Sequence, residues 1–448
     1  MNTPKVEVGI VISDNIEIFL NGIYMTKDSG QMFTEKCIAT VEDGIIILKT
    51  NQFEFEFDEG LTLSPRVFEN DSCTVNDVVI GIGFHWEQKE IQKFQGDIKF
   101  KVVDGKVQLI NVLPIENYLY SVISSEMRGD SSLELLKSHA IISRSWLLAQ
   151  IEKQEELNDA KESYSLIHET EEEYIRWYDR EDHHDFHVCA DDHCQRYQGT
   201  TRAHNPNVIK AIKETEGMVL MGENGKIADA RFSKSCGGVV EKFENCWEPI
   251  NHSYLQSFPD LDHSPKGYDL DFSYEPNAEK FINENPEAYC NTTDDKILSQ
   301  VLNDYDHMAK NDFYRWTVEL TQEEIANLIN TKSVFDFGDI LDLIPVERGD
   351  SSRLIKLKIV GSKLTKIIGK ELEIRRILSE SHLYSSAFTV TKEEGKNGIP
   401  SKFILHGAGW GHGVGLCQIG AAVMGEKGFN HVEILQHYFR GAELLKKY

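Results

Sequence analysis

The sequence predicts an α+β fold, a mixed core of strands and helices with a β-rich N-terminal subdomain and surface insertions. Three observations carry this. Residues 1 to about 110 hold short apolar or alternating runs, Val6–Ile12, Ile45–Leu48, Val78–Ile82 and Ile98–Val103, separated by Gly, Asp and Asn, the pattern of strands and turns. From Leu113 the spacing becomes helical, with Leu133, Leu136, Ala140 and Leu147 on one face. Phe313–Val390 returns to strands and a helix, including the run Ile355–Val360, before a Gly-rich loop and helical material fill Phe403 to Tyr448.

Taken in order, the elements divide near residue 110. Residues 1–110 form the β-rich subdomain and 111–448 the larger domain, with insertions near 154–182 and 251–312. A chain of 448 residues accommodates this. Leu113-Pro114-Ile115-Glu116-Asn117-Tyr118-Leu119-Tyr120 leads into Val122-Ile123-Ser124-Ser125-Glu126-Met127. A second helix follows from Ser131, where Ser131 and Glu134 have the spacing of a capping box. The polar, acidic stretch Gln154–Asp182 reads as a helix tail plus a surface insertion. Cys189 to about Trp247 is loop-rich, and no internal repeat is found.

Charge narrows the function. The net charge of −26 and pI near 5.0 oppose nucleic acid as a partner, because a phosphate backbone rewards clustered Lys and Arg. Anionic membrane surfaces are disfavoured for the same reason. No window approaches the ~18 consecutive apolar residues of a transmembrane segment. The start, Met1-Asn2-Thr3-Pro4-Lys5, lacks the charged region, apolar stretch and cleavage site of a signal peptide, so the expectation is a cytoplasmic chain or one whose leader has been removed. Eight cysteines are too sparse for a disulfide-stapled miniature, and two of them stand beside histidines, which favours metal.

Four stretches carry chemistry. In Ser124-Ser125-Glu126-Met127, a carboxyl where a helix breaks among apolar residues can be partly desolvated and hold a proton; the plain alternative is a solvated surface acid. In His187-Val188-Cys189-Ala190-Asp191-Asp192-His193-Cys194, with His183 and His184 upstream, two thiolates and nearby imidazoles match the ligand set of tetrahedral zinc. Cys189, His193 and Cys194 are the ligand candidates, and the fourth is His183, His184 or His187. Four protein ligands would make the ion a structural clamp, since catalytic zinc keeps a position open. The run Gly407–Gly420 holds glycines that permit positive φ and close backbone approach, without the Lys-Ser/Thr ending of a phosphate-binding loop. There His412 and Gln418 can offer polar groups to a sugar and Trp410 a stacking face, against the alternative of a buried structural turn. Finally, Ser235-Cys236-Gly237-Gly238 reads as a tight turn with a packed thiol, a nucleophilic Cys236 being the less favoured reading.

Together these segments resemble the stage II sporulation protein D / amidase-enhancer family (the SpoIID/LytB domain), in order, over roughly Leu113 to Lys446. The resembling residues are Leu113–Leu119 with Ser125-Glu126-Met127; Leu135, Lys137, Ala140 and Arg144; Cys189 through Tyr197 and Gly199; Ser235–Gly238; and Gly409–Gly415 with Gln418, Gly420 and Ala421. Tyr314–Val318 and Ser385–Phe388 are weaker echoes. The resemblance implies a lytic transglycosylase acting on peptidoglycan glycan strands stripped of stem peptides, in the cell envelope. It places the catalytic acid/base on Glu126 and gives Arg144 an orienting role, with Tyr118, Trp410, His412 and Gln418 toward substrate. It also implies a structural zinc on His183, Cys189, His193 and Cys194. Some relatives enhance a cell-wall amidase, so a non-catalytic glycan-binding partner of that enzyme is the alternative. The β-rich N-terminal region, the acidic insertion and the start without an export signal depart from the family pattern, as does Leu416-Cys417 before Gln418. A zinc hydrolase is opposed by the lack of His-Glu-x-x-His and of a deaminase-type motif.

Overall fold

The computed structural model describes residues 3–58, 60–82, 87–159, 166–178, 183–191, 193–201, 205–301 and 313–448. Both strands and helices build it, as the α+β expectation requires. It divides into two units: Met1–Asn158 with Asp182–Val219 and Leu445–Tyr448, and Asp159–Glu181 with Leu220–Leu444. Parts of the two expected insertions, 160–165, 179–182 and 302–312, lie outside the described residues.

The first unit is built on ten successive strands: β1 (Lys5–Ser13), β2 (Asn15–Thr26), β3 (Met32–Glu42), β4 (Ile45–Lys49), β5 (Glu54–Phe57), β6 (Leu61–Pro65), β7 (Ser72–Ile80), β8 (Gln88–Phe94), β9 (Asp97–Val103) and β10 (Lys106–Pro114). They pair in the path β1-β10-β9-β6-β2-β3-β4-β5, with β7 on β2 and β8 on β7. Inward residues alternate along the strands; Ile16, Ile18 and Leu20 of β2 are buried while Glu17 and Phe19 face outward, the two-residue period of a sheet with one covered face.

β10 runs directly into helix α1 (Ile115–Glu126). Pro114 suits the boundary, since its fixed φ of −59° needs no amide donor where the helix has no acceptor. Ile115, Tyr118, Leu119, Val122 and Ile123 then fall on one face and are all buried. The helix stops when Met127 turns extended, its amide donating to the Ile123 carbonyl at 2.9 Å. Helix α2 (Leu133–Asp159) follows. Its first turn is held by Ser132, whose Oγ accepts the Leu135 amide at 3.3 Å, one residue beyond the Ser131 that the spacing suggested. Ser131 donates to the Arg128 carbonyl at 2.6 Å. From Ser138 to Leu148 every residue of α2 is buried, Ser138, His139, Ser143, Arg144 and Ser145 included. Ser138 and Ser145 satisfy their hydroxyls on carbonyls four residues back. Among the described residues no helix is long and apolar enough to cross a membrane.

The second unit holds a five-stranded sheet in the order Ile167–Glu169, Glu173–Arg176, Thr365–Gly369, Leu354–Gly361, Ile340–Arg348, and a three-stranded antiparallel sheet with Lys402–Ala408 between Arg315–Thr321 and Phe388–Glu393. The helices Gln322–Lys332 and Glu371–Ile377 complete a shared core around Ile325, Ile329, Phe337, Leu357 and Ile374. The Gly-rich loop leaves the end of Lys402–Ala408 and enters the helix Gln418–Glu426.

Candidate functional site

Glu126 is the last residue of α1 and is partly buried. The loop that follows the two-residue strand Val188–Cys189 lies along the same helix. Gln195 Oε1 accepts the Tyr118 hydroxyl at 3.3 Å, the Arg196 amide donates to Glu126 Oε1 at 3.4 Å, and the Gln198 amide donates to Ser121 Oγ at 2.9 Å. Tyr197 closes the contact by stacking on Tyr118, with ring centroids 5.1 Å apart, and by donating to Asn111 Oδ1 at 2.6 Å. This loop therefore touches the Glu126 carboxylate through the Arg196 amide.

The start of the loop is pinned to the sheet. Val188–Cys189 runs parallel to β1, pairing Val8 with Val188 and Gly9 with Cys189. Gly9 has a reason to be glycine: a Cβ there would stand 2.5 Å from the Phe186 ring. His183 packs on Phe186 and approaches Cys194 Sγ to 3.4 Å with its Nε2. His193 Nδ1 lies 3.5 Å from Cys194 Sγ and 3.8 Å from Cys189 Sγ. All four ligand atoms fall within 4.8 Å of one another. A tetrahedral ion of the zinc type, with radii of about 2.3 Å to sulfur and 2.0–2.1 Å to nitrogen, sets ligand–ligand edges of roughly 3.4–3.8 Å, so the donor set fits. The neighbouring Cys194, His183 and His193 lower the Cys189 thiol below its ordinary range against the opposing effect of burial, the direction that favours the thiolate form metal ligands need. His187 is engaged elsewhere, its Nδ1 accepting the Glu7 amide at 3.1 Å.

At the other end of α1 stands Glu116. Arg144, fully buried, grips it with two parallel bonds, Nε to Oε1 at 2.8 Å and Nη2 to Oε2 at 2.7 Å. Its remaining donors go to the carbonyls of Ala140 and Met218. Glu116 Oε1 further accepts the Tyr448 hydroxyl at 2.6 Å and the Gly217 amide at 3.5 Å. This pair locks α1 to α2.

In the second unit the Gly-rich loop is a chain of left-handed turns. Gly413 (φ +78°) could carry no Cβ, which would meet the Arg353 guanidinium at 2.5 Å, and at Gly415 (φ +72°) it would meet the Arg231 carbonyl at 2.1 Å. Arg353, itself buried, ties this loop to the turn Ser235–Gly238: it donates to the carbonyls of Gly411 at 3.0 Å and Cys236 at 3.0 Å and to Ser351 Oγ at 2.9 Å. Trp410 stacks on Tyr384 at 4.1 Å and tilts against Phe313 at 4.8 Å. His412 packs edge-on against Trp247 at 4.6 Å. Burial and the guanidiniums of Arg231, Arg375 and Arg353 push its imidazole well below the ordinary histidine range, so it is neutral.

Comparison with known proteins gives these units a context. Residues 103–221 match the model of the family described as stage II sporulation protein. This match and the relatives below support the resemblance to the stage II sporulation protein D family. Residues 241–415 match a domain of unknown function, DUF8618. The amidase enhancer of Bacillus subtilis (strain 168) is 27% identical over 54% of this chain, and the match takes in only 33% of that protein's length. The stage II sporulation protein D of Bacillus amyloliquefaciens is 24% identical over 74% of both chains. An uncharacterized protein of Brachyspira hyodysenteriae is 23% identical over 92% of this chain and 85% of its own.

Within the matched region 103–221 the structure brings together Tyr118, Glu126, His183, Cys189, His193 and Cys194 on α1 and its docked loop. Arg144 corrects the expectation of an orienting contact to Glu126 or substrate: its guanidinium is spent on Glu116 and has no exposed surface. Tyr118 is fully buried and Gln418 nearly so, so both support their surroundings in this conformation and present no group at the surface. Cys236 is also buried, its sulfur 3.5 Å from that of Cys290, and presents no nucleophile at the surface. The sequence reading missed Glu116, Arg353 and Tyr384. An acid in the first turn of a helix carried a weak signal for Glu116, whereas Arg353 in Asp350-Ser351-Ser352-Arg353 carried none.

Proposed function

We propose that this chain acts in the cell wall as a lytic transglycosylase, cleaving the N-acetylmuramic acid–N-acetylglucosamine bond of glycan strands stripped of stem peptides. The observation that carries the reading is Glu126: a partly exposed carboxyl at the end of α1, inside the matched domain, with a Cys/His-anchored loop holding its position. Glycosidases that use water or a covalent intermediate need two carboxylates. One suffices here. Glu126 gives its proton to the glycosidic oxygen as the bond to C1 breaks. The C6 hydroxyl of the same muramic acid residue then attacks C1, and the Glu126 carboxylate takes the hydroxyl proton. A 1,6-anhydro ring forms, Glu126 is again protonated, and no water is consumed. Well-oriented intramolecular attack is worth ~7–11 kcal/mol of barrier, and the proton transfers contribute a further ~100- to 10,000-fold.

In this reading His183, Cys189, His193 and Cys194 hold a zinc ion as a structural clamp, because four protein ligands leave no open position for chemistry. The partly exposed Trp410 and His412 are the sugar contacts of the second unit, and the cell envelope is the place of action. A second reading is favoured by the amidase enhancer among the relatives: a glycan-binding partner that stimulates an N-acetylmuramoyl-L-alanine amidase without cleaving glycan itself. Incubating peptide-free glycan strands with the protein and weighing the fragments separates the two. Fragments ending in anhydro-muramic acid support the transglycosylase; intact, bound strands that accompany a faster added amidase support the enhancer.

A further inference from the structure

The second unit holds another group of side chains with metal-ligating chemistry. Cys236, Asp260, Cys290 and Cys417 bring three sulfurs and a carboxylate oxygen within 4.8 Å of one another, and all four residues are buried. They come from four separate segments: the turn after Phe232–Ser233, the residue after Phe258–Pro259, the stretch beyond the helix Glu275–Asn283, and the entry to the helix Gln418–Glu426. We propose that these four residues form a second, structural metal site, taking one divalent ion of the zinc class.

Geometry and chemistry both favour it. Cys236 and Cys290 sulfurs stand 3.5 Å apart, beyond a disulfide bond of about 2.05 Å and close to the roughly 3.8 Å edge that two thiolates span on a tetrahedral ion. The spread of the group suits a single ion. A fully buried carboxylate beside three sulfurs adds an oxygen donor to the group, and its charge needs compensating partners. Asp260 is also held as metal-binding carboxylates are held. Its Oδ1 accepts the Tyr438 hydroxyl at 2.7 Å with His437 Nε2 at 3.5 Å, and its Oδ2 accepts the Cys290 amide at 3.1 Å. The Cys236 amide points at Cys417 Sγ at 3.3 Å, a donor that stabilises a thiolate. The helix Gln418–Glu426 leaves no room for a side chain here: a Cβ on Gly420 would stand 2.6 Å from Asp260 Oδ2. Three thiolates select a soft ion over magnesium or calcium. Such an ion would staple both ends of the Gly-rich loop's support, because Leu416–Cys417 pairs with Phe232–Ser233 just before Cys236.

The test is metal content of the full chain purified without chelator. Elemental analysis is expected to find two zinc equivalents in the wild type and one in each of Cys290→Ser and Cys194→Ser. One equivalent in the wild type, lost with Cys194→Ser and kept with Cys290→Ser, would overturn the second site. So would a non-reduced intact mass two hydrogens light, the mark of a Cys236–Cys290 disulfide. If Cys290→Ser does not fold, wild type reconstituted with cobalt decides instead: the thiolate-to-cobalt absorption should have the intensity of five Co–S bonds, and the intensity of two would refute the proposal.

Discussion

One helix carries two glutamates at its two ends, and they have opposite fates. Glu116, in the first turn of α1, is buried and saturated by Arg144, Tyr448 and the Gly217 amide. Glu126, at the last residue, remains partly exposed and is touched by the Arg196 amide of the docked loop. The helix dipole welcomes an anion at the N-terminus and opposes one at the C-terminus. The same residue type is thus tied into a buried ion pair at one end and left partly exposed at the other. Position on the helix and the neighbouring donors decide, with no help from composition.

Breaking this contrast gives a graded series. The largest effect is expected for Glu126→Gln, which should lower glycan cleavage by ~100- to 10,000-fold while leaving the melting transition where it was. Arg144→Ala should do the reverse, costing about 3–5 kcal/mol by stranding Glu116 as a buried charge, as read by urea unfolding. Unchanged stability there would mean the pair is not the lock described. Cys194→Ser sits between the two: loss of the clamp should loosen residues 189–198 and slow turnover on the order of 10- to 100-fold, the value of a hydrogen bond of about 1.5–3 kcal/mol to a charged group. Hydrogen exchange of the Arg196 amide reports the loosening directly. The smallest change is Tyr448→Phe, expected to cost about 1 kcal/mol and to leave turnover untouched.

Legibility in the sequence followed distance along the chain. Helix α1, its break at Glu126 and the Cys/His group were readable because the signals sit within a dozen or so residues: a 3.6-residue apolar stripe, and ligands crowded between 183 and 194. Arg144 was visible as an unusual residue, but its partner was not, since Glu116 lies 28 positions away and Tyr448 lies 332 from Glu116. The same limit hid the Cys236, Asp260, Cys290 and Cys417 group, whose members meet only through tertiary packing. Arg353 went unseen because a buried arginine that ties two loops by their carbonyls leaves no periodic or compositional mark. In the Gly-rich loop the need for positive φ was legible, while the Trp410–Tyr384 stack was not.

Glu126 is proposed as the group that moves the proton. Its most direct test is mass spectrometry of peptide-free glycan strands incubated with wild type and with Glu126→Gln of unchanged fold. The account predicts anhydro-muramic ends from wild type and none from the variant. Equal release of those ends by both proteins would contradict it.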